Sequence, residues 1–94
     1  MMFVDLRMSD LRQANFQNAE LRYAQFNNTN LNKANLRGAN LSTTNMHNAS
    51  IEGADLRGTN LNLAKGLTCQ QISSAVLDDK TSLPDYISLT GSQE

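Results

Sequence analysis

Large apolar residues recur at every fifth position from 6 to 61: Leu6, Leu11, Phe16, Leu21, Phe26, Leu31, Leu36, Leu41, Met46, Ile51, Leu56 and Leu61. Two residues before each stands a smaller side chain, such as Val4, Ala14, Thr29 or Ala54. Asn or Asp fills the place between in most repeats, among them Asp5, Asn15, Asn35 and Asp55. The two positions after each centre are polar, charged or Gly, except at Met8, Tyr23 and Leu63.

A period of five fits neither ordinary element. On an α-helix, residues five apart sit about 140° from each other, so the apolar set would scatter around the cylinder. On a flat strand an odd period sends successive centres to opposite faces. Both conflicts disappear if the chain turns a corner once per repeat. The small and the large residue, two apart, then point inward together. The Asn/Asp and the following pair point outward, and Asn and Gly supply the tight turns. Stacked coils would hydrogen-bond to one another, so each repeat depends on its neighbours.

The run Ala34-Asn35-Leu36-Arg37-Gly38-Ala39-Asn40-Leu41 closely resembles the A(D/N)LXX consensus of pentapeptide-repeat proteins. The resemblance holds in register from residue 4 to residue 63. It implies an all-β solenoid, a right-handed quadrilateral β-helix with four pentapeptides per coil. Three coils follow, 4–23, 24–43 and 44–63, with Phe16 and Phe26 in the core. The recurrence of Leu36-Arg37-Gly38 as Leu56-Arg57-Gly58 agrees with a 20-residue coil. The recurrence of Thr29-Asn30 as Thr44-Asn45 and Thr59-Asn60, fifteen apart, does not.

A thirteenth centre would fall at 66, where Gly66 stands. A helix start follows. Thr68 is the N-cap and Gln71 completes a capping box, while Leu67 and Ile72 form a hydrophobic staple. Cys69, Ile72, Ala75 and Val76 line one face of a helix expected to run to about Asp78. That face, with Leu67, Thr68, Gln71, Ile72 and Val76 as cap residues, would close coil three. Leu83-Pro84-Asp85-Tyr86-Ile87 reads as extended, since the residue before Pro avoids the α region. The expected division is thus 1–65 for the β-helix, 66–89 for the C-terminal α-helical cap and extended segment, and 90–94 for a disordered tail. Short members of the family carry similar tails.

Composition narrows the function. The net charge is −1, with seven Lys/Arg against five Asp/Glu in 1–65 and one against four in 66–94. No global field attracts nucleic acid. No apolar run is long enough to span a membrane, and the N-terminus lacks the pattern of a signal peptide. A single cysteine suits a reducing cytoplasm. The only His, His47, follows Met46 and should face solvent; Cys69 reads as a small buried residue. No catalytic, metal or cofactor set is expected. Asp5/Arg7, Asp10/Arg12, Glu20/Arg22 and Asp55/Arg57 flank core residues and should pair with each other, leaving few cations for phosphates. Asn32 and Arg37, pointing outward, should tolerate alanine.

The reading is therefore a non-enzymatic structural or protein-interaction module, with no nucleic-acid or membrane partner. The resemblance implies one alternative, a DNA mimic that occupies type II topoisomerases such as gyrase and gives quinolone resistance. Three coils with self-paired charges depart from that pattern. At the N-terminal end, Met2, Phe3 and Met8 are the candidate interface, for a homodimer or for an end-to-end contact with another pentapeptide-repeat protein.

Overall fold

In the computed structural model, which describes residues 3–87, parallel bridges join positions twenty apart. Asp5 pairs with Gln25, Gln25 with Asn45 and Asn45 with Lys65, defining a first face. Asp10, Asn30 and Ser50 define the second; Asn15, Asn35 and Asp55 the third; Glu20, Asn40 and Asn60 the fourth. Four pentapeptides therefore make one coil. The Thr recurrence at fifteen places Thr29, Thr44 and Thr59 on three different faces. Each is fully buried and donates its hydroxyl to a carbonyl, of Leu6 (2.5 Å), Leu41 (2.8 Å) and Leu36 (2.6 Å) respectively. A buried hydroxyl so satisfied substitutes for Ala without a desolvation penalty.

The corners explain the polar half of the repeat. Ser9 N–H donates to Leu6 C=O at 3.2 Å, and Met8 between them has φ 62°. A closed four-residue turn with positive φ at its third residue is type II. The same bond recurs from Ala34 to Leu31 and from Ala54 to Ile51, both at 3.0 Å. The Asn/Asp position holds the turn from outside. Asn30 Oδ1 accepts the Asn32 N–H at 3.0 Å, Asn60 Oδ1 that of Asn62 at 2.9 Å, and Asp55 Oδ1 that of Arg57 at 3.2 Å. A short side-chain acceptor reaches an amide two residues on most directly, which suits Asn and Asp to the position. Glu20 makes the same bond to the Arg22 N–H at 3.3 Å.

Inside, the centres stack in four columns. Leu21, Phe26, Leu31, Leu36, Leu41, Met46, Ile51, Leu56 and Leu61 are fully buried, with Ala24, Ala34 and Ala54 between them. Leu6, Leu11 and Phe16 of coil one are only partly buried. They lie in the same columns, at the coil-one edge of the described residues, where only Leu21 is fully buried.

Past coil three the chain continues the register before leaving it. Ala64 is buried, Lys65 N–H donates to Thr44 C=O at 2.8 Å, and Met46 N–H donates to Lys65 C=O at 2.7 Å. At Gly66 (φ 82°) the chain passes so close to His47 that a Cβ would lie 2.6 Å from the ring carbon Cγ. Helix α1, Cys69–Ser73, then opens with the capping box: Gln71 N–H to Thr68 Oγ1 at 3.1 Å, and Thr68 N–H to Gln71 Oε1 at 2.7 Å. It buries Ile72 and, just before it, Leu67.

This helix is shorter than the sequence suggests. Ser74 ends it, and Val76 pairs with Asp55 instead: its N–H donates to Ala54 C=O and its C=O accepts from Leu56, both at 2.8 Å. The strand edge of coil three offers backbone partners that one more helical turn would leave unmet. Val76, expected on the apolar helix face, is consequently exposed. Ser82 pairs with Asn60. Leu83–Ile87 is not simply extended, since Ile87 N–H turns back to Pro84 C=O at 3.1 Å. Residues 88–94, including the expected tail 90–94, lie outside the described part.

Side chains replace backbone where no fourth coil exists. Asn18 and Gly38 N–H donate to the carbonyls of Arg37 (2.8 Å) and Arg57 (3.1 Å), but Gly58 N–H donates to the carboxylate of Asp78 at 3.0 Å. Gln71 Nε2 donates to Ala49 C=O at 2.6 Å, Thr81 Oγ1 to Leu56 C=O at 2.7 Å, and the Tyr86 hydroxyl to Ala64 C=O.

Candidate functional site

The outer faces carry the titratable groups, and most are matched within their own repeat. Arg7 grips Asp5 with two parallel hydrogen bonds, Nε at 2.8 Å and Nη2 at 2.7 Å; Arg12 holds Asp10 in the same way. Arg22 meets Glu20 at 2.5 Å. On the third face Arg57 holds Asp55 at 2.7 Å, and Arg37 approaches the same carboxylate from the preceding coil at 3.9 Å. The fifth arginine thus finds a partner across coils, which repeat-by-repeat reading could not supply.

These contacts lower the carboxyl pKa values. The Arg7 guanidinium, first through its side-chain hydrogen bond, holds the Asp5 carboxyl down at about 2. Asp10, Glu20 and Asp55 are lowered for the same reason, by Arg12, Arg22 and Arg57. Asp78 is lowered chiefly by the Gly58 N–H.

His47 is exposed beside Gly66, and Cys69 opens α1, partly buried. The fold does not bring these two to a common carboxylate pair. Among the described residues no three His, Cys, Asp or Glu side chains gather as metal ligands, and no helix is long and apolar enough to cross a membrane.

Among the described residues, three surface features stand out. The first is the edge of coil one, where Leu6, Leu11 and Phe16 are partly exposed. Of the three N-terminal interface candidates, Met2 lies outside the described residues. Phe3 and Met8 are exposed but sit on different corners. Phe3 stacks on Tyr23, ring centroids 4.9 Å apart and planes 13° from parallel, while Met8 heads the column of Asn28 and Asn48. The second is a cleft of about 890 Å³ between α1 and the second face of coil three, lined by His47, Ser50, Glu52, Gln70 and Gln71. The third is a cleft of about 770 Å³ beside Leu63, Pro84 and Tyr86.

Sequence reasoning named Leu67, Thr68, Gln71 and Ile72 of the C-terminal segment, and the structure brings them together. Asp78 and Tyr86 it passed over. A carboxylate twenty residues after Gly58 was one available signal; nothing marked Tyr86 as the partner of Ala64.

The description Pentapeptide repeats, in eight copies, matches residues 1–38 and 24–62. Comparison with curated proteins gives no match. Among solved structures the chain is similar to a pentapeptide repeat protein from the Arabidopsis thaliana thylakoid lumen, with 23% identity and a TM-score of 0.63. That alignment covers 86% of this chain and 55% of the other, so the chain spans about half the length of that protein. A pentapeptide repeat protein from Nostoc PCC 7120 aligns with 27% identity and a TM-score of 0.57, over 90% of this chain and 78% of its own. With the family pattern covering nearly the whole stack of coils, this chain belongs to the pentapeptide-repeat family.

Proposed function

We propose that the chain is a non-enzymatic protein-interaction module: a right-handed rod, capped at its C-terminal end by α1 and the segment to Ile87, that presents a face or an end to another protein. One observation carries this reading. The inward residues pack, the Asn/Asp residues hold turns, and the charged pairs neutralise each other, so that only surface contact is left for function. The coil-one edge is a candidate meeting point with the matching end of another pentapeptide-repeat solenoid, because Leu6, Leu11 and Phe16 are only partly buried there.

A pull-down from the native host, with tagged wild type and a Met8→Glu variant, tests this. A stoichiometric partner lost in the variant supports the end contact. Turnover of any substrate by the purified chain would contradict the reading. The topoisomerase-mimic alternative predicts inhibition of gyrase supercoiling; matched charges such as Asp5 with Arg7 weigh against it.

A further inference from the structure

On three of its four faces coil three finds backbone partners further along the chain. Met46, Leu56 and Leu61 N–H donate to the carbonyls of Lys65 (2.7 Å), Val76 (2.8 Å) and Ser82 (2.8 Å). The second face is the exception. There α1 crosses in place of a further strand, and the Ile51 N–H meets no acceptor among the described residues. One coil earlier the equivalent amide, Leu31 N–H, donates to Ser50 C=O at 2.7 Å. The corner before it repeats the difference. Asn28 N–H donates to His47 C=O at 2.9 Å, but Asn48 N–H meets no acceptor among the described residues.

A buried backbone amide without a partner is rare, and Ile51 is only 1% exposed. Ile51 and Asn48 both line the cleft of about 890 Å³ described above. The neighbouring groups of this edge are already served. Gln71 Nε2, reaching from α1, donates to Ala49 C=O at 2.6 Å, and Gly53 N–H donates to Ser74 C=O at 2.8 Å. The cleft therefore calls for acceptors. Glu52 on its rim is exposed and takes part in no ion pair among the described residues. Its charge disfavours an anionic acceptor and favours a neutral one with a cation nearby. Neutral carbonyls three residues apart on a peptide are what the rod itself supplies at this corner. Asn27 and Asn30 C=O serve coil one, and His47 and Ser50 C=O serve coil two.

We propose that this edge takes up an extended, basic segment of a partner protein, lying in the cleft between the second face and α1. Two of its carbonyls accept the Ile51 and Asn48 N–H, and a Lys or Arg on it lies beside Glu52. Main-chain pairing at an open edge supplies affinity, and the Glu52 contact selects basic segments. The inference names the site and the partner class of the interaction-module reading and rests on it.

A random dodecapeptide library displayed on phage and panned on the full chain tests it, with an enriched peptide then labelled for fluorescence anisotropy. The enriched sequences should carry Lys or Arg. Binding should shift the amide signals of Asn48 and Ile51 in nitrogen–proton correlation spectra and leave those of Leu11 and Asn15 in place. Gln70→Trp, which fills the cleft from an exposed position, should weaken the peptide about tenfold or more, and Glu52→Gln about fivefold. Arg37→Ala, on the third face, should change nothing. Thermal melts accompany each variant; if Gln70→Trp melts early, Glu52→Gln and the amide signals decide. A library that enriches no peptide overturns the inference, as does binding indifferent to Glu52→Gln or signal changes centred on Leu63 and Tyr86. Each of those results leaves the module reading to stand or fall by its own pull-down.

Discussion

The carboxylate of Asp78 accepts the N–H of Gly58 at 3.0 Å, the place that a backbone carbonyl fills for Asn18 and Gly38. The same oxygen accepts the Lys80 N–H at 3.0 Å, and the Asp78 N–H donates to the Thr81 hydroxyl at 3.2 Å. One side chain thus ends the third corner column and fixes the loop that returns the chain to the fourth face. Asp78→Ala should loosen that return without disturbing coils one and two. Amide exchange should speed up at Val76 and Ser82, whose N–H groups bond to Ala54 and Thr59 C=O, and stay unchanged at Asn35. Uniform acceleration along the chain would contradict this local role.

The middle of the stack should be the most sensitive part of the core. Leu31→Ala and Leu36→Ala should each cost about 2–5 kcal/mol, while Leu11→Ala should cost less, being partly exposed already. Outward residues are not all alike, however. Asn32 Oδ1 accepts the Ser50 hydroxyl at 2.5 Å and the Glu52 N–H at 3.0 Å, joining coils two and three. It should therefore not tolerate alanine freely, contrary to its outward position in the repeat; a loss of about 1 kcal/mol is expected. Urea midpoints of Asn32→Ala and Arg37→Ala check the contrast. Equal midpoints would remove Asn32 from the stacking account.

Gly66 is fixed twice, by its φ of 82° and by the His47 ring beneath it. Gly66→Ala should destabilise the chain by more than about 1 kcal/mol. His47→Ala in the same chain should recover only the ring's part of the steric share, because the new Cβ would still lie 2.9 Å from His47 Cα, and should leave the backbone share. A melt series on both single variants and the double variant reads this directly. Full recovery would mean the backbone strain is negligible, and no recovery that the ring is not the obstacle.

Acid should weaken the fold in a defined window. Asp5, Asp10, Glu20, Asp55 and Asp78 all have folded-state pKa values below their ordinary ones. A lowered carboxylate adds stability above its unfolded pKa and loses it as pH falls through the folded one. Stability should therefore be flat above the usual carboxylate range. It should decline as pH drops from 3.8 toward about 2, the interval set by Asp5. The pairs are solvent-exposed, so the decline should be shallow and reduced by salt. Thermal melts at low and high salt measure it; a steep loss beginning near neutral pH would point to other groups.

The five-residue period made the inward and outward sides of Leu31 or Asn35 legible, because corners force one identical environment on every repeat. The start of α1 at Thr68 was legible too, as a capping box is local chemistry. The helix end was not. Whether residues after Ser74 stay helical depends on Leu56 and Ala54 offering strand partners, a contact between residues some twenty apart. Likewise the role of Asn32 depends on Ser50 in the next coil, and that of Tyr86 on Ala64. Features set by stacking are hidden from a single repeat, and the sequence carries no period beyond residue 65 from which to infer them.

The claim beneath all of this is the four-sided coil, and hydrogen-bond scalar couplings measured by NMR test it most directly. The account predicts coupling from Leu36 N–H to Asp55 C=O and from Asp55 N–H to Ala34 C=O, bonds of 2.9 Å in each case. A three-sided coil of fifteen residues would instead couple Leu36 N–H to Ser50 C=O, and that result would contradict it.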